Sequence, residues 1–185
     1  MKIVGFVGMP GSGKSVAAEV ARQMGIQVVV MGDVIRDEAA RLGLEPCDQN
    51  LGRVGNLLRE RGGACAVAQR CLEKIGPGLD LVVVEGIRSK DEVDFFRSCC
   101  RDFCLIEVYV PEEVRLERIA SRRRSDDGSD AEAVAERDNR EIKWGMDLAI
   151  KAANRRIEND GPVEELRRKV EGLLRDYMQS MQSRR

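Results

Sequence analysis

The chain has 185 residues, 43% of them hydrophobic, with 31 basic and 32 acidic side chains and a formal net charge of −1. That length and apolar content suit one globular domain, and the balanced charge excludes a global field that would draw the chain onto nucleic acid or an acidic membrane. Histidine is absent, which excludes His-based triads, Cys-His dyads and His-ligated zinc.

The first apolar run, Lys2–Val7, reads as a strand, and the amphipathic stretch Gly13–Met24 that follows reads as a helix. A strand at Gln27–Met31 leads into three helical stretches, Asp33–Leu42, Asn50–Arg61 and Ala64–Ile75. Strand Leu79–Val84, helix Lys90–Cys99, strand Cys104–Val110 and helix Pro111–Ser121 come next. One long helix over Asp130–Ala153, strand Arg155–Glu158 and helix Pro162–Met181 complete the order. Several strands are unbroken Val/Ile/Leu runs, the pattern of strands covered on both faces of a parallel sheet. The alternation with right-handed crossovers predicts an α/β fold, a three-layer αβα sandwich around a five-stranded parallel sheet.

Residues 1–185 read as a single domain with two insertions. One is the helical span 33–75 and the other the polar, Arg-dense span 121–130, SRRRSDDGSD. Both are expected at the carboxyl edge of the sheet, where open α/β folds bind ligands. The N-terminal apolar run, Ile3 to Val7, is too short for a secretory signal, and no run approaches the roughly 18 residues of a membrane span. A cytoplasmic protein without membrane contact is therefore expected. The six cysteines form no C-x-x-C pair and are expected as buried free thiols, with a disulfide the alternative for a hyperthermophile. A metal site on Cys99, Cys100 and Cys104 is disfavoured, because adjacent residues point in different directions.

Gly8-Met9-Pro10-Gly11-Ser12-Gly13-Lys14-Ser15 fits G-x-x-x-x-G-K-[ST] between a strand and a helix, the context that this phosphate loop needs. Its glycines let successive N–H groups turn inward around phosphate oxygens, and the helix N-terminus adds orphan donors. Gly8, Pro10, Gly11, Ser12 and Gly13 would frame the nucleotide phosphates. Lys14 would reach the β- and γ-phosphates, and Ser15 would ligate Mg²⁺. Glu85 closes the apolar run Leu81–Val84 and is the expected second acid near the metal; a strand-end Glu capping a helix is the plainer alternative.

The phosphate loop, Gly32-Asp33-Val34-Ile35-Arg36 and Glu85-Gly86-Ile87-Arg88 together resemble the adenylate kinase group of nucleoside monophosphate kinases. The whole chain is similar to an archaeal adenylate-kinase-like branch, and Ile157–Leu166 also resembles the last strand and helix of dephospho-CoA kinases. The resemblance implies a P-loop NTPase fold, ATP and Mg²⁺ as cofactors, and a small nucleotide-type acceptor. It makes Arg36 and Arg88 clamps on the acceptor phosphate, Asp33 an orienter of magnesium-bound water, and 121–130 a lid.

Arginine outnumbers lysine 24 to 7, and its rigid fork suits phosphate and carboxylate. Asp37 and Glu38 lie at the wrong spacing to pair with Arg36 along a helix, which favours a clamp. Arg115, Arg118 and Arg122 fall at i, i+3 and i+7, one helical face leading into the expected lid. The resemblance implies that Arg122, Arg124 and Arg137 stabilise the transferring phosphoryl group and that Arg118 binds the nucleotide. A solvated charge run pairing with Asp126, Asp127 and Glu132 is the alternative.

Glu92 stands where adenylate kinases carry a Gln that reads the acceptor adenine. An ionised carboxylate cannot donate a hydrogen bond, which disfavours AMP. The lid lacks the four-cysteine zinc site of some relatives, and Trp144 is expected to pack rather than stack on a base. A phosphate acceptor needs no general base; a sugar hydroxyl needs one, and Asp33 is the candidate. The first reading is thus a kinase using Lys14, Asp33, Arg122, Arg124 and Arg137, of open oligomeric state. The second is an NTP-hydrolysing switch acting on a macromolecular partner.

Overall fold

The computed structural model describes residues 1–121 and 131–182. In chain order the elements are β1 (Lys2–Val7), α1 (Lys14–Gln23), β2 (Gln27–Val30), α2 (Met31–Arg41), α3 (Asp48–Gly62), α4 (Ala66–Glu73), β3 (Leu81–Glu85), α5 (Lys90–Cys99), β4 (Asp102–Tyr109), α6 (Glu112–Ser121), α7 (Ala131–Lys143), α8 (Met146–Lys151), β5 (Arg155–Glu158) and α9 (Val163–Gln182). The five strands are parallel in the order β2-β3-β1-β4-β5.

Each central strand buries alternate residues on opposite faces, so the sheet carries two cores. Ile3, Val7, Val82, Val84 and Leu105 face one core, which α2, α3, α4, α5 and α8 complete. Val4, Phe6, Val83, Ile106 and Val108 face the other, closed by α1 and α9. Burying each such side chain contributes about 1.5–3 kcal/mol, so the run of apolar residues fixes the layering. The edge strands β2 and β5 have four residues each, and in β5 only Ile157 is buried. Short edges, and the charged side chains of β5, resist pairing with other chains.

Register also sets the site. Phe6 pairs with Glu85, so β3 ends beside the start of the phosphate loop. Gly5 makes room for the next turn: a Cβ there would lie 2.6 Å from Ile87 Cδ1. Ile87 is fully buried and anchors the chain just before Arg88.

Two expectations change. The helix expected over Asp130–Ala153 is two, α7 and α8, broken at Trp144-Gly145. Gly145 takes φ 96, a left-handed conformation that only glycine adopts readily, and α8 restarts from it. All six cysteines are free thiols, but Cys47 and Cys99 are exposed rather than buried. Burial pushes the Cys71 thiol up to about 12. Among the described residues, no helix is long and apolar enough to cross a membrane.

Candidate functional site

The loop between β1 and α1 is held from both sides. Ser12 N–H donates to Met9 O at 3.1 Å, and Val16 and Ala17 N–H donate to Gly13 O. Gly13 has φ 104, and a Cβ on it would lie 2.4 Å from Asn159 Nδ2. Asn159, buried just after β5, donates through that nitrogen to Ser12 O at 2.7 Å. From α6, Arg115 donates to Pro10 O at 3.3 Å and grips both carboxylate oxygens of Asp138 on α7. Burial raises the Asp138 carboxyl above its ordinary value, and the bonds from Arg115 only partly offset this.

Lys14 folds back on the loop, donating to Gly8 O at 2.6 Å and Met9 O at 3.0 Å. Burial lowers its ammonium to about 8; Glu85 and Glu141 oppose the shift, and Arg88 and Arg137 add to it. Ser15 in the first turn of α1 and Glu85 at the end of β3 supply oxygen donors, the ligand type that Mg²⁺ takes. Among the described residues, no group of three or more Cys, Asp or Glu side chains could hold a metal by itself. A magnesium ion would therefore fit here only with phosphate oxygens and water completing its shell.

The expected acceptor side is an arginine cluster. Arg36, Arg88, Arg137 and Arg140, with Asp48 and Trp144, line a cavity of about 30 Å³. That is room for little more than water. Arg140 reaches both Asp48 oxygens, at 2.8 and 2.7 Å. Arg137 Nε lies 3.6 Å from Asp48 and 3.6 Å from Glu141, and Arg88 lies 3.3 Å from Glu141. Trp144 gathers these cations: Arg59, Arg88 and Arg140 lie 4.5, 5.6 and 5.7 Å from its ring centre. Its indole N–H donates to Asn56 Oδ1 at 2.7 Å, so it is an arginine platform rather than plain packing.

Several expected residues sit otherwise than the sequence implied. Arg36 has a helical partner after all: Asp33, three residues earlier, at 2.8 Å. Glu92, expected to face an acceptor base, is fully buried with both of its oxygens already engaged inside the protein. Its oxygens accept from Arg59 Nη2 and Arg88 N–H, each at 2.8 Å, and its own N–H donates to Ser89 Oγ. Arg115, on the helical face that leads toward the expected lid, is buried against the loop, unlike a member of a solvated charge run. Arg118 donates to Asn159 O at 2.8 Å and Gly161 O at 3.2 Å, which ties α6 to the segment after β5. Arg122, Arg124 and the rest of the expected lid, 122–130, lie outside the described residues.

Sequence reasoning missed Glu141. It is 1% exposed, on the inward face of α7 with Val134 and Asp138. Burial by itself raises its carboxyl, but Arg88, Lys14, Arg137 and Arg140 outweigh that and hold it below the ordinary value. The signal was an acid on a helical stripe at i, i+4 and i+7 otherwise facing inward. A larger cavity, about 660 Å³, lies between the end of β4, α6 and α7, and touches the loop through Met9 and Ser12. Lys14, Ser15 and Glu85 do not line it.

A parallel sheet ordered 2-3-1-4-5, flanked by helices and carrying a phosphate loop after its central strand, is the fold of a P-loop NTPase of the nucleoside monophosphate kinase-like type. Residues 7–136 match the AAA domain family. The chain belongs to the UPF0200 family: a UPF0200 protein of Methanothrix thermoacetophila is 54% identical over 183 residues, 97% of this chain and 100% of the relative. Among solved structures, a gluconokinase from Sinorhizobium meliloti superimposes with a TM-score of 0.59 at 17% identity, covering 99% of this chain and 97% of that one. A shikimate kinase from Acinetobacter baumannii in complex with shikimate gives 0.58 at 19%, covering 96% and 94%. At these identities the likeness is one of fold.

Proposed function

We propose that this protein is a small-molecule kinase that moves the γ-phosphoryl group of ATP to an anionic, nucleotide-type acceptor. One observation carries the reading: Arg88 and Arg137 lie 3.3 and 3.6 Å from the buried carboxylate Glu141, which also feels the charge of Lys14 in the phosphate loop. A donor half and a second anion-binding half thus converge on one point. Hydrolysis alone has no need of the second half, which disfavours the switch.

Loop amides and Lys14 would hold the β- and γ-phosphates, Lys14 exchanging the Gly8 and Met9 carbonyls for phosphate oxygens. Ser15, Glu85 and Asp33 would hold Mg²⁺ or its water shell, where the ion would neutralise phosphate charge. Arg36 and Arg140 would aim the acceptor's anionic group, which must displace Asp33 and Asp48 from them. Arg88, Arg137 and the lid arginines Arg122 and Arg124 would meet charge on the transferring group, where donors lower the barrier most.

The test is transfer from γ-labelled ATP with Mg²⁺ to AMP, GMP, CMP, UMP, their deoxy forms and dephospho-CoA. Label on one acceptor, reduced roughly 100-fold or more in Lys14→Ala and Arg36→Ala, is the expected result. Label released only as inorganic phosphate, at a rate Arg36→Ala leaves unaltered, would sink the kinase and favour the switch.

A further inference from the structure

The identity of the reacting group on the acceptor follows from Glu141. Its Oε1 is buried and has no hydrogen-bond partner among the described residues. Arg88 Nη1 at 3.3 Å and Arg137 Nε at 3.6 Å give it charge compensation only. A buried carboxylate oxygen left in this way needs a donor from a water or a ligand. The neighbours restrict that donor. Arg88 and Arg137 lie against the carboxylate and Lys14 and Arg140 add their charge to its surroundings, and such positive charge disfavours a metal ion there. An ionised phosphate has no proton to give and would meet the carboxylate as a like charge. A neutral hydroxyl satisfies every neighbour.

We infer that Glu141 is the proton acceptor for a hydroxyl nucleophile, so that the acceptor is an anionic small molecule phosphorylated on an O–H group rather than on a phosphate. The inference rests on the kinase reading above and names the class of its acceptor. The acceptor O–H would donate to Glu141 Oε1 beside Lys14, where the γ-phosphate is held. As the acceptor oxygen bonds to the γ-phosphorus, its proton passes to Oε1. The bond from that phosphorus to the β-bridging oxygen breaks, and its electron pair leaves with ADP. The proton returns to water when the site opens. In a loose transition state the proton moves late, so a carboxylate held ionised by its neighbours suffices. Asp33, the other candidate base, has a side chain 55% exposed and tied to Arg36.

The experiment uses the full chain with Mg-ATP and two readouts. The first locates transferred label, on hydroxyl or phosphate, across dephospho-CoA, gluconate, shikimate and the nucleoside monophosphates. The second is basal ATP hydrolysis, in which water takes the place of the acceptor hydroxyl. Glu141→Gln should lower kcat in both roughly 100-fold or more, while binding of a non-hydrolysable ATP analogue is retained or tightened. Glu141→Asp should recover part of the loss, and Asp33→Asn should cost less than Glu141→Gln. Label on a phosphate oxygen, a Glu141→Gln enzyme with wild-type kcat, or a loss of analogue binding that parallels the loss of kcat would each overturn the assignment. A wild-type protein that neither transfers nor hydrolyses would instead overturn the kinase reading, and this inference with it. If Glu141→Gln does not fold, Glu141→Asp decides: its carboxylate is retracted by one methylene, and an unaltered kcat would overturn the role.

Discussion

Lys14 enters the loop as an internal donor, bonded to Gly8 and Met9 carbonyls, and burial brings its ammonium down to about 8. Bound phosphate favours the charged form, so the complex keeps its proton to higher pH than the empty protein does. Affinity for an ATP analogue should therefore be flat below about pH 8 and fall above it, by up to about tenfold per pH unit. Titration calorimetry from pH 6.5 to 9.5 would check this, and Lys14→Arg should leave the curve flat. An affinity constant through pH 9.5 in the wild type would mean that Lys14 makes no contact with the phosphates. At this scale the sequence was legible where function is local. The loop residues are contiguous, and their spacing alone dictates their geometry. Glu92 was less legible because its role depends on Arg59, 33 residues away. Yet Ser89-Lys90-Asp91-Glu92 is the S-x-x-E signature of a helix start, and Glu92 N–H does donate to Ser89 Oγ. The partner of Arg36 is Asp33, three residues before it on the helix, whereas the acids that follow it, Asp37 and Glu38, are out of register.

Strands were legible as elements because both of their faces are buried, which leaves unbroken Val and Ile runs in the sequence. Helix α7 and helix α8 were not separable in the same way. Val134 on one side of the break and Met146 and Ala149 on the other are all buried, so the apolar pattern runs on without announcing a change of axis. Only Gly145 marks it, and an isolated glycine inside a helical pattern is ambiguous. The break has a use. It places Trp144 at the end of α7, where its ring gathers Arg59 from α3, Arg88 from the turn before α5, and Arg140. Gly145→Ala would put an L side chain at φ 96, costing about 1–2 kcal/mol. Chemical denaturation should report that loss, and Trp144 fluorescence should report displacement of the ring. Unchanged stability together with unchanged emission would show that the break tolerates any residue and does not position the platform.

Across the whole molecule, the phosphate loop is one contiguous segment, whereas the proposed acceptor half is assembled from α2, α3, α7 and the turn after β3. That is why the second half was read only through single arginines, and why its carboxylates, Asp48 and Glu141, escaped notice. Asp48 starts α3 and binds Arg140 of α7, 92 residues away, through both oxygens. It thus latches the helical insertion against α7, over a cavity of only about 30 Å³. An incoming acceptor anion must take Arg140 from Asp48, so the latch and the ligand compete for the same guanidinium. Asp48→Asn weakens the latch without removing its bulk. Inorganic pyrophosphate, used as a plain anion probe, should then bind about tenfold more tightly, the worth of one charge-assisted hydrogen bond. Hydrogen exchange in the first turns of α3 should rise in the same variant, because an ion pair that held them is gone. Weaker pyrophosphate binding with faster exchange would reverse the assignment: Asp48 would then orient Arg137 and Arg140 for the acceptor rather than compete with it.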